Sequence, residues 1–219
     1  MKKVVYILLF LAGMGLAIWA MNGNSNSESK TENESKEKMM TIERDKYSVA
    51  TVAGGCFWCM EPPFERLDGV VSVVSGYSGG TEVNPTYEQV ASGRTSHTES
   101  VEILYDPEKI TYEEILNVFW MNIDPTQVDG QFADRGKQYR TVIFYYDDEQ
   151  KMKAEESKKK LEESGKFDSP VVTTIEPFTA FYNAEDYHQD YYKKNSMHYK
   201  MYKKGSGREG YLERTWGNK

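Results

Sequence analysis

One six-residue run constrains this chain more than any other: Gly54-Gly55-Cys56-Phe57-Trp58-Cys59. It holds both cysteines of the 219 residues, three positions apart. The residues just before it, 47–53 (Tyr-Ser-Val-Ala-Thr-Val-Ala), read as a strand that stops at the paired glycines. A helix candidate follows at 61–67. Pro62 and Pro63 are tolerable only in a first helical turn, so the helix proper is expected to start near Met60. The chain must therefore turn from strand to helix with two thiols at the turn. A thiol at a helix N-terminus has its thiolate stabilised by free N–H groups and the helix dipole, and its pKa is expected to fall. Glycines let the backbone approach a substrate closely. Two thiols at this spacing can close a small disulfide, with Cys56 attacking and Cys59 resolving. Redox catalysis is the reading this supports.

Blander readings remain open on these residues alone. A structural disulfide would close so short a loop that it stabilises little. Half of a zinc site would need a second pair of ligands, yet there are no further cysteines, and His188 and His198 are ten apart rather than three to five. A buried pair of apolar thiols is the third. Phe57 and Trp58, between the sulfurs, are either core or the wall of a substrate pocket that holds a small apolar group for attack.

Beyond this run, strand and helix patterns alternate. Strands are expected at 70–77, 98–105, 138–146 and 171–175, and short helices at 61–67 and 87–91. Thr111 with Glu114 three residues on forms a capping box for a helix with Ile115, Leu116 and Phe119 on its apolar face. Asp147 caps a charged helix running to Ser164, with Gly165 past its end. Some gaps between strands are hairpin-length. The pattern therefore fits an α+β fold, a mixed β-sheet sandwich with flanking helices and a ferredoxin-like core, better than a doubly wound sheet.

The strand at 98–105 carries its own chemistry. Glu99 alternates onto the same face as Val101, Ile103 and Tyr105, the apolar set. Burial raises a carboxyl pKa, and a carboxyl still protonated at neutral pH can serve as a general acid. The competing reading is a strand end with Glu99 in water.

The termini differ from this body. Residues 4–21 carry no charge and follow Lys2 and Lys3, which reads as a signal peptide or N-terminal membrane anchor over 1–21. A small-residue cleavage site is poor, and no Cys follows to carry a lipid. Residues 22–43 are rich in Asn, Ser, Glu and Lys and form a flexible polar linker that cannot offset its ordering entropy by burial. A folded domain is expected over 44–204, exported to the bacterial extracytoplasmic side, with a basic C-terminal segment at 205–219. That segment is either a cover packing on the domain or a recruiter of an acidic partner. A hydrophobic content of 39% supports a real core, and a net charge of -7 argues against nucleic-acid binding.

Taken together, the motifs resemble the peptide methionine sulfoxide reductases of the A type. The likeness runs from Gly54-Gly55-Cys56-Phe57-Trp58-Cys59-Met60-Glu61 through Gly76-Tyr77-Ser78-Gly79-Gly80, Asn84-Pro85-Thr86-Tyr87 and Ser96-His97-Thr98-Glu99. It continues through Asp124-Pro125-Thr126, Asp134-Arg135-Gly136-Lys137-Gln138-Tyr139-Arg140 and Ala184-Glu185-Asp186-Tyr187-His188-Gln189. The resemblance implies reduction of methionine S-sulfoxide, free or in proteins. It implies that Cys56 is the nucleophile that becomes a sulfenic acid, and that Phe57 and Trp58 hold the substrate methyl group. Glu99 is implied as the acid for the sulfoxide oxygen, Tyr87 and Tyr139 as phenols that bind that oxygen, and Asp134 as a further active-site group. No metal or prosthetic cofactor is implied, only an external dithiol such as a thioredoxin-like donor, and the enzyme is expected to act as a monomer. Many relatives carry a resolving Cys near the C-terminus. Here nothing follows Cys59, so Cys59 or an outside thiol must resolve Cys56. The alternative is a membrane-tethered thiol–disulfide oxidoreductase of another kind, which would need neither Glu99 nor the phenols.

Overall fold

The computed structural model describes residues 46–217. The expected leader at 1–21 and linker at 22–43 lie outside the described residues. Among the described residues no helix is long and apolar enough to cross a membrane.

The fold is mixed α+β. Its six-stranded sheet has the order β7-β6-β1-β3-β2-β8. The strands are β1 (Ser48–Gly54), β2 (Val70–Ser78), β3 (Thr98–Tyr105), β6 (Thr141–Tyr145), β7 (Thr174–Pro177) and β8 (Phe181–Asn183). Neighbours are antiparallel except β6 and β7. A two-stranded hairpin of β4 (Gly130–Gln131) and β5 (Asp134–Arg135) stands apart from the sheet. The helices are α1 (Phe57–Glu65), α2 (Tyr87–Ala91), α3 (Tyr112–Trp120), α4 (Asp148–Glu163), α5 (Tyr191–Lys194), α6 (Ser196–Gly205) and α7 (Arg208–Trp216).

Strand alternation places the core. Ala50 and Val52 of β1, Val101 and Ile103 of β3 and Ile143 of β6 share one face with Phe64 of α1 and Ile115, Leu116 and Phe119 of α3. Ala53, Val142 and Phe144 form a smaller cluster on their own. The capping box on α3 is formed, with Thr111 and Glu114 each bonding the other's backbone N–H. Asp147 caps α4 through the Gln150 N–H at 2.8 Å.

Several expectations are corrected. The first helix starts at Phe57, not near Met60, and both prolines lie inside it. The tertiary setting overrides the proline signal here, because Cys56 serves as N-cap and a distant carboxyl takes the Phe57 N–H. Residues 138–139 are not strand. Lys137–Tyr139 form a 3-10 turn, and β6 begins at Thr141. The strand expected at 171–175 begins three residues later, and β8, α5, α6 and α7 fall in a Tyr- and Lys-rich stretch with no clear period. Residues 205–217 are part of the folded body, since α7 buries Arg208 against the strand end at Gly54.

Candidate active site

β1 ends at Gly54, and the chain enters α1 through Gly55 and Cys56. Gly55 has φ +82, and a Cβ there would lie 2.5 Å from the Gln131 Cβ. A glycine is required on both counts. Gln131 is itself fixed, accepting from the Asp124 N–H at 2.8 Å and donating to the Asp124 carbonyl at 2.7 Å. The turn that presents Cys56 is thus wedged against the β4–β5 hairpin.

Cys56 and Cys59 are both buried free cysteines. Their thiols are hydrogen-bonded to each other. Burial, then this bond, then the charge of Glu99 push the Cys56 thiol well above its ordinary pKa. The bond from Cys56 holds Cys59 below its ordinary value against its own burial, with help from the Arg208 charge. The expectation that the helix N-terminus would lower the Cys56 pKa is overturned. The first free N–H of α1 is spent elsewhere, and the sulfur is desolvated beside a carboxyl group.

That N–H belongs to Phe57 and donates to Glu99 Oε2 at 3.0 Å. Glu99 pairs across the sheet with Tyr77 and is 2% exposed. Burial pushes its pKa up to about 8, against the pull of the Phe57 bond. The alternation of β3 placed Glu99 on the buried face, as expected, and the reading of a solvated strand end is excluded.

An aromatic box adjoins the thiols. Phe57 is buried, with its ring centroid 6.5 Å from Tyr87 and 5.0 Å from His188. Trp58 stacks on Tyr191 at 3.8 Å and donates its Nε1–H to His188 Nδ1 at 3.1 Å. Burial, followed by the Glu99 charge, pushes Tyr87 up to about 12 and raises Tyr139 further. Both phenols therefore remain neutral donors and share Glu99 and Cys56 as electrostatic neighbours. Asp134 has its pKa raised by burial and accepts a hydrogen bond from the Tyr202 hydroxyl. The candidate site residues thus gather around the Cys56 turn.

Sequence reading missed several neighbours. Glu185 accepts from the Tyr77 hydroxyl and the Tyr87 N–H, both at 2.9 Å, and so anchors the start of α2. Tyr202 and Tyr191 come from the C-terminal helices. They were visible only as members of a Tyr-rich stretch, and no period marks which of them faces inward. His188 was weighed only as a metal ligand, but here it holds the Trp58 indole. Glu61, Glu65 and Asp190 bring three carboxylates together, but Lys193 already lies 2.7 Å from Glu65 and 2.6 Å from Asp190.

Comparison with known proteins converges on one family. The family model described as peptide methionine sulfoxide reductase matches residues 48–219. "Peptide methionine sulfoxide reductase MsrA 2" of Staphylococcus aureus (strain Mu50) is 56% identical over 169 residues, covering 77% of this chain and 96% of that protein. The MsrA of Bacillus licheniformis is 54% identical over 175 residues, covering 80% and 97%. Among solved structures, methionine sulfoxide reductase A of Corynebacterium diphtheriae aligns with a TM-score of 0.62 at 34% identity, covering 69% of this chain and 76% of that one. Reduced Mxr1 of Saccharomyces cerevisiae aligns at 0.66 with 32% identity, covering 69% and 87%. With a Cys pair, a buried acid and neutral phenols around one turn, this chain belongs to the peptide methionine sulfoxide reductases of the A type, oxidoreductases that repair oxidised methionine.

Proposed function

We propose that the chain reduces the S epimer of methionine sulfoxide, free or in proteins, through a sulfenic acid on Cys56 and then a Cys56–Cys59 disulfide. The observation that carries this reading is Glu99, a carboxyl protonated up to about pH 8 beside the Cys56 thiol. An S–O bond breaks readily only if its oxygen is protonated, so a thiol needs such an acid beside it. The substrate methyl group rests against Phe57 and Trp58, and Tyr87 and Tyr139 donate to the sulfoxide oxygen, a preorganised oxygen site. The Cys56 sulfur bonds to the sulfoxide sulfur while Glu99 gives its proton to the oxygen. The carboxylate then takes the Cys56 proton. Methionine leaves with two more electrons, and the hydroxyl passes to Cys56 as a sulfenic acid. Asp134, held by Tyr202, borders this site. Cys59 then attacks the Cys56 sulfur, an S–S bond forms, the S–O bond breaks, and water departs with the Cys59 proton.

A thioredoxin-like dithiol would reduce the disulfide, and no prosthetic group is needed. The apolar run at 4–21 and the polar run at 22–43 support an exported enzyme, anchored or secreted, and we take it to act as a monomer. The strand order β6-β1-β3-β2, with α1 and α3 as the connecting helices, supports a ferredoxin-like core in a helix-on-sheet sandwich. A disulfide exchanger has no use for the buried acid, and the relatives above carry sulfoxide reductase names.

Activity on the separated epimers tests the reading. Methionine should form from the S sulfoxide and not from R. Turnover of R alone overturns it. Mass spectrometry after one turnover should find a Cys56–Cys59 disulfide.

A further inference from the structure

The most unusual side chain outside the reaction just described is Arg208. It is 2% exposed, and a buried cation is costly unless something compensates it. Among the described residues no carboxylate pairs with it. Its guanidinium instead donates to the Gly54 carbonyl at 2.8 Å and the Asn122 carbonyl at 2.7 Å. It also lies 4.6 Å from the Phe132 ring centroid and 3.5 Å from the Met60 sulfur. A Cβ on Gly55 would meet its Nη2 at 2.8 Å, so the cation is packed directly against the turn that carries the thiols. An Arg used only to bridge two carbonyls could be replaced by a neutral donor without charging the interior. The charge itself therefore calls for a purpose.

We propose that Arg208 is a positioning residue for the resolving step: its guanidinium clamps the strand end at Gly54 and holds a fixed positive charge beneath the redox turn, where it favours Cys59 as the attacking thiolate. The inference rests on the reading of Cys59 as the resolving thiol. In this chain the C-terminal segment carries no Cys, and its contribution to resolution is a buried charge. The direction of the Cys59 pKa agrees, being held down by the Cys56 bond and by Arg208. Other groups face the same sulfur: Cys56 on its own turn, Glu99 from β3, Asp134 from β5, and Tyr199, Tyr202 and Lys203 from α6. Of the two cations, Arg208 has the larger effect and is the buried one.

Rapid quench with one equivalent of S sulfoxide separates the two steps. Methionine release reports attack by Cys56, and disulfide formation, read by mass spectrometry, reports attack by Cys59. Arg208→Gln keeps a donor for the Gly54 carbonyl without the charge. It should slow disulfide formation about tenfold at neutral pH and move the pH midpoint of that step up by about one unit, while methionine release stays near wild type. Arg208→Lys should restore the wild-type midpoint. A midpoint unchanged in Arg208→Gln, or equal losses in both steps, overturns the inference. Should Arg208→Gln fail to fold, Arg208→Met carries the test: a raised midpoint supports the charge and a wild-type one overturns the inference. Wild-type enzyme that releases methionine without a Cys56–Cys59 disulfide overturns this inference and leaves the activity standing. Wild-type enzyme that releases no methionine removes both.

Discussion

The backbone N–H of Phe57 donates to Glu99 Oε2 at 3.0 Å, so the first free donor of α1 faces a carboxyl group and not the Cys56 sulfur. A helix N-terminus favours negative charge wherever its donors point. Here that preference is directed at the acid, which is nonetheless held protonated by burial, up to about pH 8. The Cys56 sulfur beside it rests as a neutral thiol.

If Glu99 acts as the proposed acid in its neutral form, sulfoxide reduction should decline as pH rises through about 8. Glu99→Gln should lower kcat by about 10² to 10⁴ and flatten that alkaline limb. Activity assays from pH 6 to 10 check this; an unchanged limb in the variant assigns it to another group.

The same shift has a consequence for stability. The folded pKa lies above the ordinary carboxylate value, so the native state binds the proton more tightly than the unfolded chain does. Stability should fall as pH rises from the ordinary range near 4.5 through about 8. Glu61, raised to about 7, contributes in the same direction. Glu99→Gln should remove part of this slope in melting curves taken between pH 5 and 8. An identical slope would count against a protonated Glu99 in the fold.

Cys59→Ser should release one equivalent of methionine and then stall, with a sulfenic acid on Cys56 that a carbon nucleophile can trap. Cys56→Ser should release none. A Cys59→Ser enzyme that turns over normally with a large dithiol donor would show that resolution comes from outside the chain.

Tyr202 and Asp134 should behave as a unit. Tyr202→Phe leaves a half-buried Asp134 without its phenol donor, and Asp134→Asn leaves Tyr202 with a weaker acceptor. A double-mutant cycle on kcat/KM should give a coupling of about 1 to 2 kcal/mol, and additive losses would dissolve the pair.

Gly55→Ala should destabilise the protein by about 2 to 5 kcal/mol, since it combines a left-handed backbone with a clash against Gln131 and Arg208. Chemical denaturation measures it; a loss under 1 kcal/mol would mean that the hairpin yields easily.

Much of this molecule was legible in its residues. The motif run, the face of β3 that carries Glu99, the capping box at Thr111 and the Asp147 cap are local patterns. Local periodicity and capping chemistry are sufficient to read them. The family and the set of candidate site residues followed from the order of the motifs. Tertiary structure alone decided three other things. The protonation of the Cys pair reversed expectation, because desolvation and a carboxyl from β3 outweigh the helix terminus. α1 began earlier than its prolines suggested, because Glu99 and the Cys56 cap hold its first turn. The packing of the C-terminal residues was invisible in a Tyr- and Lys-rich stretch. Which Tyr meets Asp134 and which Arg enters the core depend on how α6 and α7 lie against the redox turn, and burial is a property of that packing, not of composition.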